Sequence, residues 1–208
     1  MTPRLILVHG WGFDASFWDP LQAALPDIES LAWDLGFFGK PDRPAANDGR
    51  PLIAVGHSFG LLWLLKTRPV AWDALVSING FPRFVAGSDF AHGVEPRQLR
   101  RMAARLSEAP GEMLAAFRRR CGDESAVTDG LDPAALADGL AALAGWDARP
   151  AEIRLALCGR SDPIIPPAMS DAAFPGQPLV WHAGGHLLPR QAPAWCAGQL
   201  RRLCEDMA

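Results

Sequence analysis

The apolar residues of this chain fall into two periodicities that alternate along its length. Short runs rich in leucine, isoleucine and valine at residues 4–8, 28–33, 51–55, 74–78, 153–157 and 179–181 read as strands buried on both faces. Between them the spacing becomes helical. Phe17, Trp18, Leu21 and Leu25 place a helix within 14–25, an apolar stretch follows Phe59, and a closing helix spans 192–205. Residues 81–148 differ in composition and hold three helical segments, 95–107, 110–121 and 132–144. Glu95-Pro96 opens the first, and Asp132-Pro133 opens the third with an N-cap followed by proline. Residues 40–50 are rich in Pro, Asp, Asn and Gly and read as loop.

Strands alternating with helices imply a parallel, doubly wound sheet, here of about six strands, with function at the strand C-termini. The predicted class is α/β, with a core of residues 1–80 and 149–208 and a helical lid inserted over 81–148. A chain of 208 residues suits one such domain. Its hydrophobic content of 49% and charged content of 21% are ordinary globular values. A formal net charge of −3 gives no reason to expect nucleic acid as a partner. The N-terminal apolar run is too short for a membrane span or a signal-peptide core. Cys121, Cys158, Cys196 and Cys204 show neither Cys-x-x-Cys spacing nor a nearby histidine pair. No metal or cofactor is expected, and the expectation is a cytoplasmic monomer with reduced thiols.

Candidate chemistry centres on Gly56-His57-Ser58-Phe59-Gly60, which lies between a predicted strand and a predicted helix. In that context Gly-x-Ser-x-Gly is a nucleophile elbow, a turn so tight that only hydrogen fits at the two glycines. The turn lifts the Ser58 hydroxyl above the sheet edge, where the following helix points its free N–H groups. A serine hydroxyl needs an adjacent base, and the base needs a carboxylate to fix its tautomer. Asp162 and His186 follow in the order that accompanies a nucleophile elbow, each just after a predicted strand. Asp171 is the alternative acid, within a predicted helix, and His182 the alternative base. Asp34 reads as a turn cap. His9 reads as a loop support, and His57, His92 and His182 as structural.

These motifs resemble those of α/β-hydrolases with a helical lid: His9-Gly10-Trp11-Gly12, the elbow, Gly159 to Asp162, and Gly185-His186. The His-Gly loop resembles the one that supplies half of the oxyanion hole, so the backbone N–H groups of Trp11 and Phe59 become the expected donors. Trp11, together with the run from Gly93-Val94-Glu95-Pro96 through Leu106-Ser107 to Phe117, is similar to the pimeloyl-[acyl-carrier protein] methyl ester esterase family of biotin synthesis. The resemblance implies substrate contacts at Trp11, Ser58, Phe59, Phe117 and His186. The chain departs from that family at His57, often Trp there, in its shorter N-terminal part, and in lacking a helix before the elbow.

The expected function is a serine carboxylesterase, with the methyl ester of pimeloyl-acyl carrier protein as leading substrate. Between residues 95 and 121 there are seven arginines against three glutamates, an excess that suits an acidic carrier protein. Arg97, Arg101, Arg118 and Arg119 are the expected carrier contacts, against the alternative of a solvated helix face. The rival readings are a broad-specificity carboxylesterase or thioesterase, and a non-catalytic hydrolase-fold binding protein.

Overall fold

In β1 (Arg4–Val8), Leu5 and Leu7 pack into one apolar cluster while Ile6 and Val8 pack into another. β3 (Leu52–His57) repeats the pattern, with Ile53 and Val55 on one face and Leu52 and Ala54 on the other. Side chains alternate with period two along a strand, so a strand buried throughout must be covered on both faces. The computed structural model, which describes residues 1–125 and 129–207, shows that arrangement.

Strands β2 (Ser30–Trp33), β4 (Ala74–Ile78), β5 (Leu155–Gly159) and β6 (Leu179–His182) complete a six-stranded sheet in the order β2-β1-β3-β4-β5-β6. Every pairing is parallel. The central strands β3 and β4 are wholly buried, whereas β6, at the edge, is only partly so. The carboxyl ends of β1, β3, β4 and β5 therefore meet along one rim of the sheet.

The predicted helix within 14–25 is broken in two. A 3₁₀ turn at Ala15–Trp18 precedes α1 (Asp19–Ala23). Asp14 caps the turn by accepting from the Ser16 N–H, while Pro20 lacks an N–H and belongs at a helix start, so the second segment begins afresh. Helix α2 (Phe59–Thr67) follows the elbow directly. Between β4 and β5 the chain builds α3 (Pro96–Glu108), α4 (Pro110–Cys121) and α5 (Pro133–Gly145). Asp132 Oδ1 caps α5 by accepting from the N–H groups of Ala134 and Ala135 at 2.9 and 3.0 Å. Where the inserted helices leave and rejoin the sheet, Ala148 N–H donates to Pro82 O at 2.9 Å, and Asp147 lies 3.1 Å from Arg83 and 2.7 Å from Arg149.

β5 begins two residues later than expected because the Ile153 N–H is held by the side chain of Gln177 at 2.8 Å. After it come α6 (Pro167–Ala173), a short α7 (Leu188–Gln191) absent from the expected elements, and α8 (Pro193–Asp206). Residues 40–50 carry no helix; they close against the sheet through Asp34–Asp42 backbone bonds and a Trp33 indole donation to Pro44 O at 3.0 Å. Among the described residues, no helix is long and apolar enough to cross a membrane.

Candidate active site

The turn between β3 and α2 is as tight as its two glycines require. A Cβ on Gly56 would lie 2.4 Å from Leu61 Cα, and one on Gly60 would lie 2.2 Å from Val8 O. Both clashes are with backbone, the first in α2 and the second in β1, which cannot move aside without shifting the helix or opening the sheet. Between them Ser58 has φ 52° and ψ −122°, a conformation that L residues avoid at a cost of about 1–3 kcal/mol. The Ser58 N–H donates to Ile78 O at 3.1 Å, so the strained residue is pinned to the end of β4.

Three buried polar side chains converge here. Ser58 Oγ lies 3.1 Å from His186 Nε2, and His186 Nδ1 lies 2.7 Å from Asp162 Oδ2. An ionised carboxylate only accepts, so Nδ1 carries the hydrogen that it donates to Asp162 and Nε2 accepts from the serine hydroxyl. The other carboxylate oxygen accepts from the N–H groups of Ile164 and Ile165 at 2.7 and 2.8 Å, leaving the acid fixed and fully partnered. The alternatives stand apart. Asp171 is exposed on α6, and His182 accepts from its own loop at Gly184 N–H with its ring against Trp195.

His9 and His57 are buried and used internally. Leu35 N–H donates to His9 Nε2 at 3.0 Å, so His9 Nδ1 carries the proton and donates to Gly10 O. Burial holds the His57 imidazole well below its ordinary pKa, helped by nearby His186. His57 Nε2–H donates to His186 O at 2.9 Å, and its ring stacks on Phe17 at 4.4 Å. Asp34 caps its turn, accepting from Gly36 and Ala15 N–H. Burial also pushes the Cys158 thiol up to about 12 and the Cys121 thiol higher still, so neither is a thiolate near neutrality.

The loop after β1 closes over the elbow. A Cβ on Gly10 would lie 3.1 Å from Ser58 Cβ. Among the described residues, neither the Trp11 nor the Phe59 backbone N–H donates a hydrogen bond. The Trp11 indole meets Phe117 edge to face at 5.0 Å, and Phe59 stacks on Trp146 at 6.2 Å. Trp11, Phe117 and Ser58 share one cavity, whose remaining wall is mainly apolar, including Phe81, Phe84, Leu99, Met102, Leu143 and Ile164. Gln98 and Arg120 are the polar residues that also line it.

Arg97, Arg101 and Arg119 are exposed, as a docking role requires. Arg118 is not, and this corrects the expectation. It is 5% exposed, donates from Nε to Gly12 O at 2.9 Å, and lies over the rings of Phe13 and Phe38. Successive residues on a helix point about 100° apart, so a run of three arginines cannot share one surface. Arg118 is the one turned inward, onto the loop that carries Trp11.

No protein-family model matches the chain. A pimeloyl-[acyl-carrier protein] methyl ester esterase of Stenotrophomonas maltophilia is 29% identical over 227 residues, covering 88% of this chain and 86% of that protein. A biotin biosynthesis bifunctional protein of Cellvibrio japonicus is 28% identical over 131 residues, 55% of this chain and 26% of the longer relative. Among solved structures, an esterase from Exiguobacterium antarcticum superposes with a TM-score of 0.80 over 99% of this chain and 92% of its own, at 15% identity. Fold and relatives together place the chain among the α/β hydrolases of the carboxylic ester class. Within that class it resembles the pimeloyl-[acyl-carrier protein] methyl ester esterases.

Proposed function

We propose that the chain is a serine carboxylesterase working through an acyl-enzyme. The observation that carries this reading is the unbroken path from Ser58 Oγ through His186 to Asp162, at 3.1 and 2.7 Å. His186 Nε2 takes the hydroxyl proton as Ser58 Oγ attacks the ester carbonyl carbon. Asp162 stabilises the imidazolium that forms. The Trp11 and Phe59 N–H groups, the second at the free N-terminus of α2, receive the developing oxyanion. Collapse of the tetrahedral intermediate breaks the bond to the alcohol oxygen, which leaves with the proton from His186. Water then attacks the acyl-serine ester, giving its proton to His186 Nε2, and the acid departs as Ser58 regains its hydrogen.

The substrate favoured is the methyl ester of pimeloyl-acyl carrier protein, hydrolysed to the free acid and methanol. The names of the curated relatives support this choice, and two features of the chain itself agree. An apolar groove between α3 and α4 shares Met102, Phe117 and Arg120 with the cavity at Ser58 and runs outward to Arg101 and Arg105. On this reading an acyl chain passes from that basic groove to the serine between the side chains that the groove and the cavity share. Exposed Arg97, Arg100, Arg101, Arg105 and Arg119 form no ion pair among the described residues, so they are free to meet acidic groups of a carrier. On this reading residues 81–148 act as the lid over a core of 1–80 and 149–208.

Ser58→Ala tests the chemistry: turnover of any ester should fall by roughly 10⁴-fold or more. Expression in a strain lacking the demethylation step tests the substrate, with biotin-independent growth as the expected result. No growth, together with rapid hydrolysis of small aryl esters, would point to a broad carboxylesterase instead.

A further inference from the structure

The side chain of Asn79 ties together the two loops that bring Asp162 and His186 to the serine. Asn79 directly follows β4, is 1% exposed, and has φ 47°, the left-handed region that asparagine tolerates better than most residues. Its backbone N–H donates to Leu157 O at 2.8 Å and so stays on the β4–β5 ladder. Its side chain turns across the strand ends. Oδ1 accepts from Gly159 N–H at 2.7 Å, at the root of the loop that carries Asp162. Nδ2 donates to Gly185 O at 2.9 Å and to His186 O at 2.8 Å.

The orientation of the amide is unambiguous, because an N–H faces one end and two carbonyl oxygens face the other. Only a carboxamide offers an acceptor and two donors in one short planar group. The two loops approach each other closely where the amide spans them: a Cβ on Gly159 would lie 2.4 Å from Gly185 O.

We propose that Asn79 is a positioning residue that sets the His186 imidazole in register with Ser58 and Asp162 at once. The inference rests on the hydrolase reading given above. The carbonyl of His186 is also held by His57 Nε2–H at 2.9 Å. Two donors, one at the end of β3 and one just past β4, thus fix the peptide of the base itself, and the amide reaches from there to the acid loop. Displacing a catalytic group by about 1 Å costs on the order of 100-fold in rate.

Asn79→Gly removes the amide while keeping a residue at ease in the left-handed conformation. Asn79→Asp keeps the volume and the acceptor for Gly159 N–H but sets an oxygen against two carbonyls. Wild type, both variants and Ser58→Ala are compared on p-nitrophenyl acetate, with melting temperature measured in parallel. The Gly variant should lose about 10- to 100-fold in kcat with KM changed less than about threefold. The Asp variant should lose kcat as well and move the acid limb of kcat/KM to higher pH, since a new anion favours the imidazolium. The titratable groups facing His186 are Asp162, Ser58 and His57, with Cys121 of α4 beyond Asp162, and none is changed by these substitutions. A merely structural role would lower the melting temperature and leave kcat and the pH profile of the folded enzyme unchanged, which would overturn the inference. So would a failure of both variants to fold. Absence of Ser58-dependent turnover in the wild type would refute the hydrolase reading itself; wild-type behaviour in both Asn79 variants beside Ser58-dependent turnover would refute the positioning role alone.

Discussion

The indole Nε1–H of Trp11 donates to the carbonyl oxygen of Leu136 across 2.9 Å, joining the loop after β1 to the first turn of α5. The loop whose backbone N–H is proposed to meet the oxyanion is therefore held partly by a helix from between β4 and β5. Gly139, one turn further along α5, leaves the indole its space: a Cβ there would lie 2.5 Å from Trp11 Cδ1.

Gly139→Ala should consequently impair the reaction from a position that touches no reacting atom. Alanine is the better helix former by about 1 kcal/mol, which offsets part of the steric cost and keeps the variant folded. The indole must shift, and the Trp11 N–H with it. We expect kcat/KM for a small ester to fall on the order of tenfold, while Gly145→Ala in the same helix, with open space around its Cβ position, stays near wild type. Equal rates for the two variants would show that α5 does not steer the loop.

Gly60 makes a sharper demand. A methyl group there meets Val8 O at 2.2 Å and His9 O at 2.6 Å, both backbone atoms at the end of a buried strand. Gly60→Ala should destabilise by about 4 kcal/mol or more, in the range reserved for overpacking and strain. Gly198→Ala, in α8 with nothing within 4 Å of the new atom, should be neutral or stabilise by up to about 1 kcal/mol. Urea denaturation of the pair reads both effects against the same wild type.

What the sequence makes legible here is what local pattern controls. Ile53 and Val55 predict a buried strand because two-sided cover leaves no polar face, and the Gly56 and Gly60 spacing predicts the elbow because both clashes are with neighbouring backbone. Asp132 signals the start of α5 from its own side chain and the proline after it. Long-range contacts leave no such mark. Nothing around Arg118 distinguishes it from Arg119; its burial follows from where α4 crosses Phe13, Phe38 and the Gly12 carbonyl. In the sequence Asn79 merely follows a strand, and only the meeting of the β4 end with the loops after β5 and β6 reveals what the amide holds. Pro20 is visible in the sequence, yet whether it begins a second helix or bends the first depends on the cap at Asp14.

His57 should tie stability to pH. Burial keeps its imidazole neutral in the folded chain, whereas in the unfolded chain it takes a proton near its ordinary value of 6.5. The unfolded state then binds more protons below that value, so the contribution of His57 is fully present above pH 6.5 and declines as the pH falls, by at most about 1.4 kcal/mol per pH unit. His57→Gln retains a donor and cannot titrate. It should be the less stable protein near pH 7.5, and the gap should narrow toward pH 5, read as melting temperatures at roughly those two values. A gap that stays constant would mean that His57 takes up its proton equally readily in the folded and the unfolded chain.

The arginines divide the proposed carrier surface from the machinery beneath it. Arg97 and Arg101 are exposed on α3, so Arg97→Glu and Arg101→Glu should change stability by less than about 0.5 kcal/mol. Each reverses a charge on the face proposed to meet an acidic carrier, and on that proposal the double variant should lower kcat/KM for a carrier-bound methyl ester by about 10- to 100-fold. Added salt should slow the wild type on that substrate, because charges at the surface are screened within about 8 Å at physiological ionic strength. p-Nitrophenyl acetate carries no acidic partner, so its hydrolysis should respond to neither change. Arg118→Ala should behave differently. It removes a hydrogen bond to Gly12 O and two cation–ring contacts beside the Trp11 loop, so turnover should fall on both substrates alike. If reversal at Arg97 and Arg101 slows the two esters equally, or salt affects neither, the basic face is a solvated helix surface and the proposed carrier docking there is refuted.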